Sequence, residues 1–92
     1  MKLVVRQAAE DDLDDIAEWI AKDNVLAARE MVARIRDQIG YLETDELVHR
    51  GRPGFIDGTR ELLEYPYIIV YRVDERKKIV TVLSIVHGAR DR

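Results

Sequence analysis

The sequence contains no cysteine. Without thiols the protein has neither disulfide bonds nor thiolate metal centres. A long apolar run is also missing, since none approaches the roughly 18–20 residues that span a bilayer. The first residues, MKLVVR, are too few and too charged for the apolar part of a signal peptide. We therefore expect a soluble, cytoplasmic protein with no membrane partner.

A basic excess is missing as well. The 92 residues include 15 lysines and arginines against 18 acids, for a net charge of −3. General nucleic-acid binders usually carry a strong positive charge, so we expect no direct DNA binding by this chain alone. The charge is divided, however, because residues 8–23 hold seven acids and one lysine, and residues 67–92 hold six bases and three acids. The two ends should therefore offer different faces to partners.

The length predicts one domain over residues 1–92, without internal repeats or low-complexity segments. At this size folding buries roughly 60–65% of the surface of the unfolded chain, which is enough for one modest core. A large enclosed active-site cavity is therefore not expected. The acids of residues 8–23 follow a helical period and lack the glycine-containing loop of a calcium site. We predict no metal and no cofactor.

Two helices are predicted in the first half of the chain. Apolar residues recur at i, i+3, i+4 and i+7 between Ala9 and Lys22, which indicates one amphipathic helix. Asn24 is a good N-cap for a second helix, from Val25 to about Glu43. Because the link between them is so short, the two helices should form an antiparallel hairpin.

Strands are predicted before and after this hairpin. The first covers Leu3 to Arg6, and three more cover Thr59 to Glu64, Tyr67 to Val73 and Ile79 to Val86. Residues 44–58, rich in glycine, are predicted to be irregular. The expected fold is α+β with the order βααβββ, in which a helical hairpin packs on a mostly antiparallel four-stranded sheet.

Four motifs appear in order along this predicted fold: GRPG from Gly51 to Gly54, GTREL from Gly58 to Leu62, PYIIVYRV from Pro66 to Val73, and VHGAR from Val86 to Arg90. Together with the βααβββ order they resemble the ParE branch of the RelE/ParE toxin superfamily, over essentially the whole chain. The resemblance implies the toxin of a bacterial type II toxin–antitoxin module, of the kind also called a plasmid stabilization protein. It implies a ParD-like antitoxin as partner and DNA gyrase as target.

The superfamily shares one fold among different targets, so the polar residues of the C-terminal half have two interpretations. In the first, which we favour, the protein is not an enzyme and binds its target through a surface. The candidates for that surface are Arg60, His87, Arg90, Arg50 and Arg52. The antitoxin would then cover a sheet edge and the groove of the helical hairpin. Whether the toxin forms a homodimer or a hetero-oligomer with its antitoxin is left open.

The alternative is a RelE-like, ribosome-dependent endoribonuclease that cuts messenger RNA. His87 would be the acid or base, and Arg60 and Arg72 would stabilise the phosphate. Few basic residues are available for such a reaction, because no lysine lies between Lys22 and Lys77. Structural roles are also open: His87 as a hydrogen-bonded residue at a strand end, and the two arginines as partners of sheet acids such as Glu61 or Glu64.

Overall fold

The computed structural model describes residues 1–89. Its elements are β1 (Lys2–Val5), α1 (Gln7–Ala21), α2 (Val25–Tyr41), β2 (Arg52–Pro53), β3 (Arg60–Glu64), β4 (Tyr67–Asp74) and β5 (Ile79–His87). The strands form one sheet in the order β1-β5-β4-β3-β2, and α1 and α2 pack together on one face of it. Among the described residues, no helix is long and apolar enough to cross a membrane.

The α+β class, the helical hairpin and the mostly antiparallel sheet are confirmed. Within residues 1–89, β1 and β5 pair in parallel and the other three strand pairs are antiparallel. The predicted number of strands is wrong by one, because the segment predicted to be irregular contributes β2, which pairs Arg52 with Glu61 and Pro53 with Arg60. Two residues are too few to show an alternating pattern, and a proline is tolerated there because β2 is an edge strand.

Local signals account for the position of the hairpin. The side chain of Asn24 accepts a hydrogen bond of 3.0 Å from the backbone N–H of Ala27, as expected of an N-cap. The first helix starts at Gln7, two residues before the predicted position, and has no side-chain cap. Helix ends vary by this amount when no cap defines them.

The hydrophobic core lies between the hairpin and the sheet. Its largest fully buried side chains come from both layers, and among them are Leu13 on α1, Ile35 on α2, Ile69 and Tyr71 on β4, and Val80 and Val82 on β5. Burial of such side chains contributes about 1.5–3 kcal/mol each. This core therefore sets how the helices lie across the strands.

A β-bulge in β5 decides which face His87 occupies. Val70 pairs with Ser84 and Tyr71 pairs with Val82, which leaves Leu83 as the extra residue. Val80 and Val82 face the helices before the bulge, and Ile85 faces them after it. Strict alternation from Val80 would turn His87 away from the helices, but the bulge places it on their side.

Candidate functional site

Arg60 is directed at the backbone of the loop that follows α2. Its Nη2 donates a hydrogen bond of 2.7 Å to the carbonyl oxygen of His49 and another to that of Gly51. Its Nε is buried and has no partner among the described residues. The alternative in which Arg60 pairs with Glu61 or Glu64 does not hold, because β3 turns Glu61 to the opposite face and Glu64 interacts with α2. Arg60 therefore holds a loop in place.

Tyr71 holds the same loop from the middle of the sheet. Its hydroxyl donates to the carbonyl oxygen of Val48 at 2.8 Å and accepts from the N–H of Gly51 at 3.1 Å. A third connection runs from His49 Nε2 to Glu75 Oε1, 2.6 Å apart, at the turn between β4 and β5. The sequence pattern did not predict that Tyr71 holds this loop. A tyrosine within an apolar central strand is nevertheless a signal, because its buried hydroxyl needs a polar partner.

Arg50 and Arg52 are both exposed but point to different parts of the surface. Arg50 donates a hydrogen bond to Gln38 Oε1 on α2 and lies 5.7 Å from the centre of the Tyr41 ring. The Nη2 of Arg52 lies 3.4 Å from Glu61 Oε1, on the sheet face that points away from the helices. The two candidates are therefore near each other in sequence without forming one cluster.

Glu61 is a buried carboxylate on this outer face, with 3% of its surface exposed. Its Oε2 accepts a hydrogen bond of 2.9 Å from the N–H of Phe55, and its Oε1 faces Arg52. A buried charge is tolerated only with such partners, so Glu61 fixes residues 54–59 over the sheet. The sequence pattern could not reveal this burial, because the covering segment is a loop.

His87 is a half-buried residue at the end of β5. Its ring meets the Tyr67 ring edge-on, with centres 5.5 Å apart and planes at 87°. Its Nδ1 accepts a hydrogen bond of 3.1 Å from the N–H of Ala89, so in the neutral ring the proton is on Nε2. This geometry agrees with the structural role considered for His87, that of a hydrogen-bonded residue at the end of a strand. The remaining candidate, Arg90, lies outside the described residues.

The three residues of the ribonuclease alternative are not brought together. Arg60 pairs with Tyr71 in the middle of β4, whereas His87 pairs with Tyr67 at its start. Four residues along a strand correspond to about 13 Å, and one further strand separates them sideways. Arg72 follows Tyr71 and is exposed on the outer face. A general acid and a phosphate clamp must reach the same substrate atoms, and these three side chains do not.

An apolar groove runs along the solvent side of the hairpin, between α1 and α2, with a volume of about 510 Å³. Alanine and valine form most of its floor, and two arginines stand beside them; the lining residues are Ala17, Ala21, Val25, Ala28, Arg29, Val32, Ala33 and Arg36. Small side chains let another backbone approach closely. An apolar groove of this kind is a common binding site for an amphipathic helix.

Arg36 carries a stable charge at this groove. Its Nη2 lies 3.0 Å from Glu10 Oε2, an ion pair that connects the two helices. The hydrogen bond to Glu10 raises the pKa of Arg36 above its ordinary value, so the guanidinium remains protonated at any physiological pH.

At the other side of the fold, β1 is an edge strand with β5 as its one neighbour in the described sheet. Its outer edge can accept an added strand.

Comparisons with known proteins agree on one family. The sequence model of the family described as "ParE toxin of type II toxin-antitoxin system, parDE" matches residues 3–92. A protein of Sinorhizobium fredii (strain NBRC 101917 / NGR234), named "Putative toxin Y4kP", is 44% identical over 73 residues, which cover 77% of this chain and 74% of that protein.

Two solved structures have a similar fold. A chain of the chromosomal ParDE toxin–antitoxin system from P. aeruginosa has a TM-score of 0.80 and 29% identity, with 95% of each chain covered. A chain of the toxin–antitoxin complex RelBE2 from Mycobacterium tuberculosis has a TM-score of 0.63 and 20% identity, with 94% of this chain and 95% of that chain covered. The second similarity concerns the fold alone.

Proposed function

Because the chain belongs to the ParE family of toxins of type II toxin–antitoxin systems, we propose that it inhibits DNA gyrase in the bacterial cytoplasm by binding it, and that a ParD-like antitoxin neutralises it. The supporting observation is the separation of Arg60, Arg72 and His87, described above. Inhibition by binding needs no assembled catalytic group. The fold alone does not choose between targets, since ParE-like and RelE-like toxins share it.

The antitoxin partner fits the helical groove in shape and charge. We propose that an amphipathic antitoxin helix places large apolar side chains over Ala28 and Ala33. Acidic residues on its flank would face Arg29 and Arg36. An adjoining antitoxin segment would add a strand to β1. The match to a ParDE system supports such a partner.

The target is tested with purified protein and two substrates. With gyrase and supercoiled plasmid, we expect gyrase-dependent loss of supercoiling or DNA cleavage, reversed when the antitoxin is added first. With translating ribosomes and a message, we expect no cleavage. Message cleavage in phase with codons, abolished by His87→Ala, would instead establish the endoribonuclease function. A ribbon-helix-helix pattern in the neighbouring short reading frame would identify the antitoxin to use.

The groove is tested separately from the target. Ala33→Glu places a charged side chain in the groove from an exposed helical position, so it should leave folding and growth inhibition intact. The antitoxin should no longer co-purify with this variant or protect cells from it. Ala8→Glu makes the same change at an exposed position of α1 outside the groove, and it should behave like the wild type. Equal antitoxin binding by both variants would rule out the groove.

A further inference from the structure

A cleft with aromatic walls lies between α1, the first turns of α2 and the strand ends at Tyr67 and His87. It consists of two hollows, of about 250 Å³ and about 380 Å³, which share Trp19, Tyr67 and His87. The first also contacts Asp12 and Asp15, and the second contacts Asp23. Aromatic rings and carboxylates therefore line the same concave surface, and among the described residues none that lines it also lines the groove between α1 and α2.

The Trp19 ring already interacts with a cation. Trp19 is 55% exposed although it is the largest side chain in the protein. The Nζ of Lys22 lies 5.2 Å from the centre of its ring, within the range of a cation–π interaction. The edge-to-face pair of Tyr67 and His87 lines the same two hollows. This arrangement is suited to a flat cation, which can lie against the Trp19 ring while polar groups bind its edge.

The carboxylates of the cleft differ in their availability. Asp12 Oδ2 accepts a hydrogen bond of 2.8 Å from the N–H of Ile85, beside the β-bulge, and is therefore committed to the fold. Asp15 is exposed one turn along the same face of α1, and among the described residues it makes no side-chain hydrogen bond or ion pair. Between residues 8 and 23, Lys22 is the single base. Among the described residues that line the two hollows, three are acids, Asp12, Asp15 and Asp23, and none is a lysine or arginine, so this part of the lining is acidic.

We propose that this cleft binds an arginine side chain of a partner protein. The planar guanidinium would stack on Trp19 and donate hydrogen bonds to Asp15, replacing the weaker contact of Lys22. Arginine suits the site better than lysine because its guanidinium combines a stacking surface with a rigid fork of donors that matches a carboxylate. The site is independent of the helical groove and of the identity of the target.

The single tryptophan of the chain provides a direct readout. The probe is the peptide acetyl-Gly-Arg-Gly-amide, titrated while Trp19 fluorescence is recorded. Its counterpart contains citrulline, which has nearly the same shape without the charge. We expect a saturable change with the arginine peptide and binding about tenfold weaker with citrulline, because both the cation–π contact and the ion pair are lost. Equal binding of the two peptides, or no saturable change, would overturn the proposal.

Two matched variants locate the binding site. Asp15→Asn should weaken binding of the arginine peptide about threefold, the range of one exposed ion pair. Asp11→Asn makes the same change one turn earlier on α1, at a carboxylate that lines neither hollow and accepts a hydrogen bond from Gln7, and should leave binding unchanged. Lys22→Gln should strengthen binding, since it removes a cation that already contacts the Trp19 ring. Equal effects of Asp11→Asn and Asp15→Asn, in variants with unchanged unfolding midpoints, would mean that only the general charge matters and would refute the site.

Discussion

The hydroxyl of Tyr71 donates a hydrogen bond of 2.8 Å to the carbonyl oxygen of Val48, and both residues are fully buried. The bond joins the centre of the sheet to the loop after α2. The same hydroxyl satisfies the N–H of Gly51, so one atom serves two backbone groups that water does not reach. The loop that carries Arg50 and Arg52 is therefore fixed from beneath by a core side chain.

Tyr71→Phe should reduce the free energy of unfolding by about 1–3 kcal/mol, because buried polar groups on the loop lose their partner. Urea denaturation measures the loss. Tyr65→Phe removes a hydroxyl from a side chain that is 80% exposed and should change stability by less than about 0.5 kcal/mol. If both variants lose the same stability, the hydroxyl of Tyr71 does not hold the loop.

Gly51→Ala should destabilise the protein by about 1–3 kcal/mol through overpacking. A Cβ at this position would be 2.5 Å from the hydroxyl oxygen of Tyr71 and 2.7 Å from the carbonyl oxygen of Glu61. Gly40→Ala is the opposite case, because a Cβ at this position of α2 meets no atom within 4 Å beyond its chain neighbours and the backbone of its own helix. That change should stabilise the protein by about 0.5–1 kcal/mol. Thermal unfolding of both variants checks the difference in sign.

Arg60→Ala should reduce stability by about 1–3 kcal/mol, since the backbone carbonyls of His49 and Gly51 lose a charged donor. Growth inhibition should fall with it, because the loop that presents Arg50 and Arg52 is no longer held. Arg72→Ala is the control, as Arg72 is exposed, and its stability should change by less than about 0.5 kcal/mol. Loss of growth inhibition by Arg60→Ala at full stability would show instead that Arg60 contacts the target. If alanine at both Arg60 and Arg90 leaves growth inhibition intact, neither determines toxicity.

Asp12→Ala should cost about 1–2 kcal/mol of stability, because the N–H of Ile85 loses its carboxylate acceptor beside the β-bulge. The variant should also show faster amide hydrogen exchange at Ile85 and His87. Asp11→Ala removes an acid whose side chain accepts a surface hydrogen bond from Gln7, and its effect should stay within about 0.5 kcal/mol. Unchanged exchange at Ile85 in Asp12→Ala would mean that the bulge is held by the strands alone.

Sequence reasoning succeeded where neighbouring residues carry the information. The helical period of α1, the cap at Asn24 and the apolar runs of β4 and β5 are short-range signals, and each of these elements lies within two residues of its predicted position. The four family motifs also predict the order in which these elements follow one another along the chain. The parts that the sequence did not reveal, such as β2 and the bulge at Leu83, depend on pairing between distant segments.

The sequence by itself determined the α+β class, the helical hairpin and the resemblance to ParE toxins. The tertiary structure decided what the polar residues do. It directed Arg60 to the carbonyls of a loop, buried Glu61 beneath residues 54–59, and turned His87 toward Trp19. The physical reason is that a side chain's face and partners follow from strand register and from loop backbone, and neither is encoded within the few residues around it.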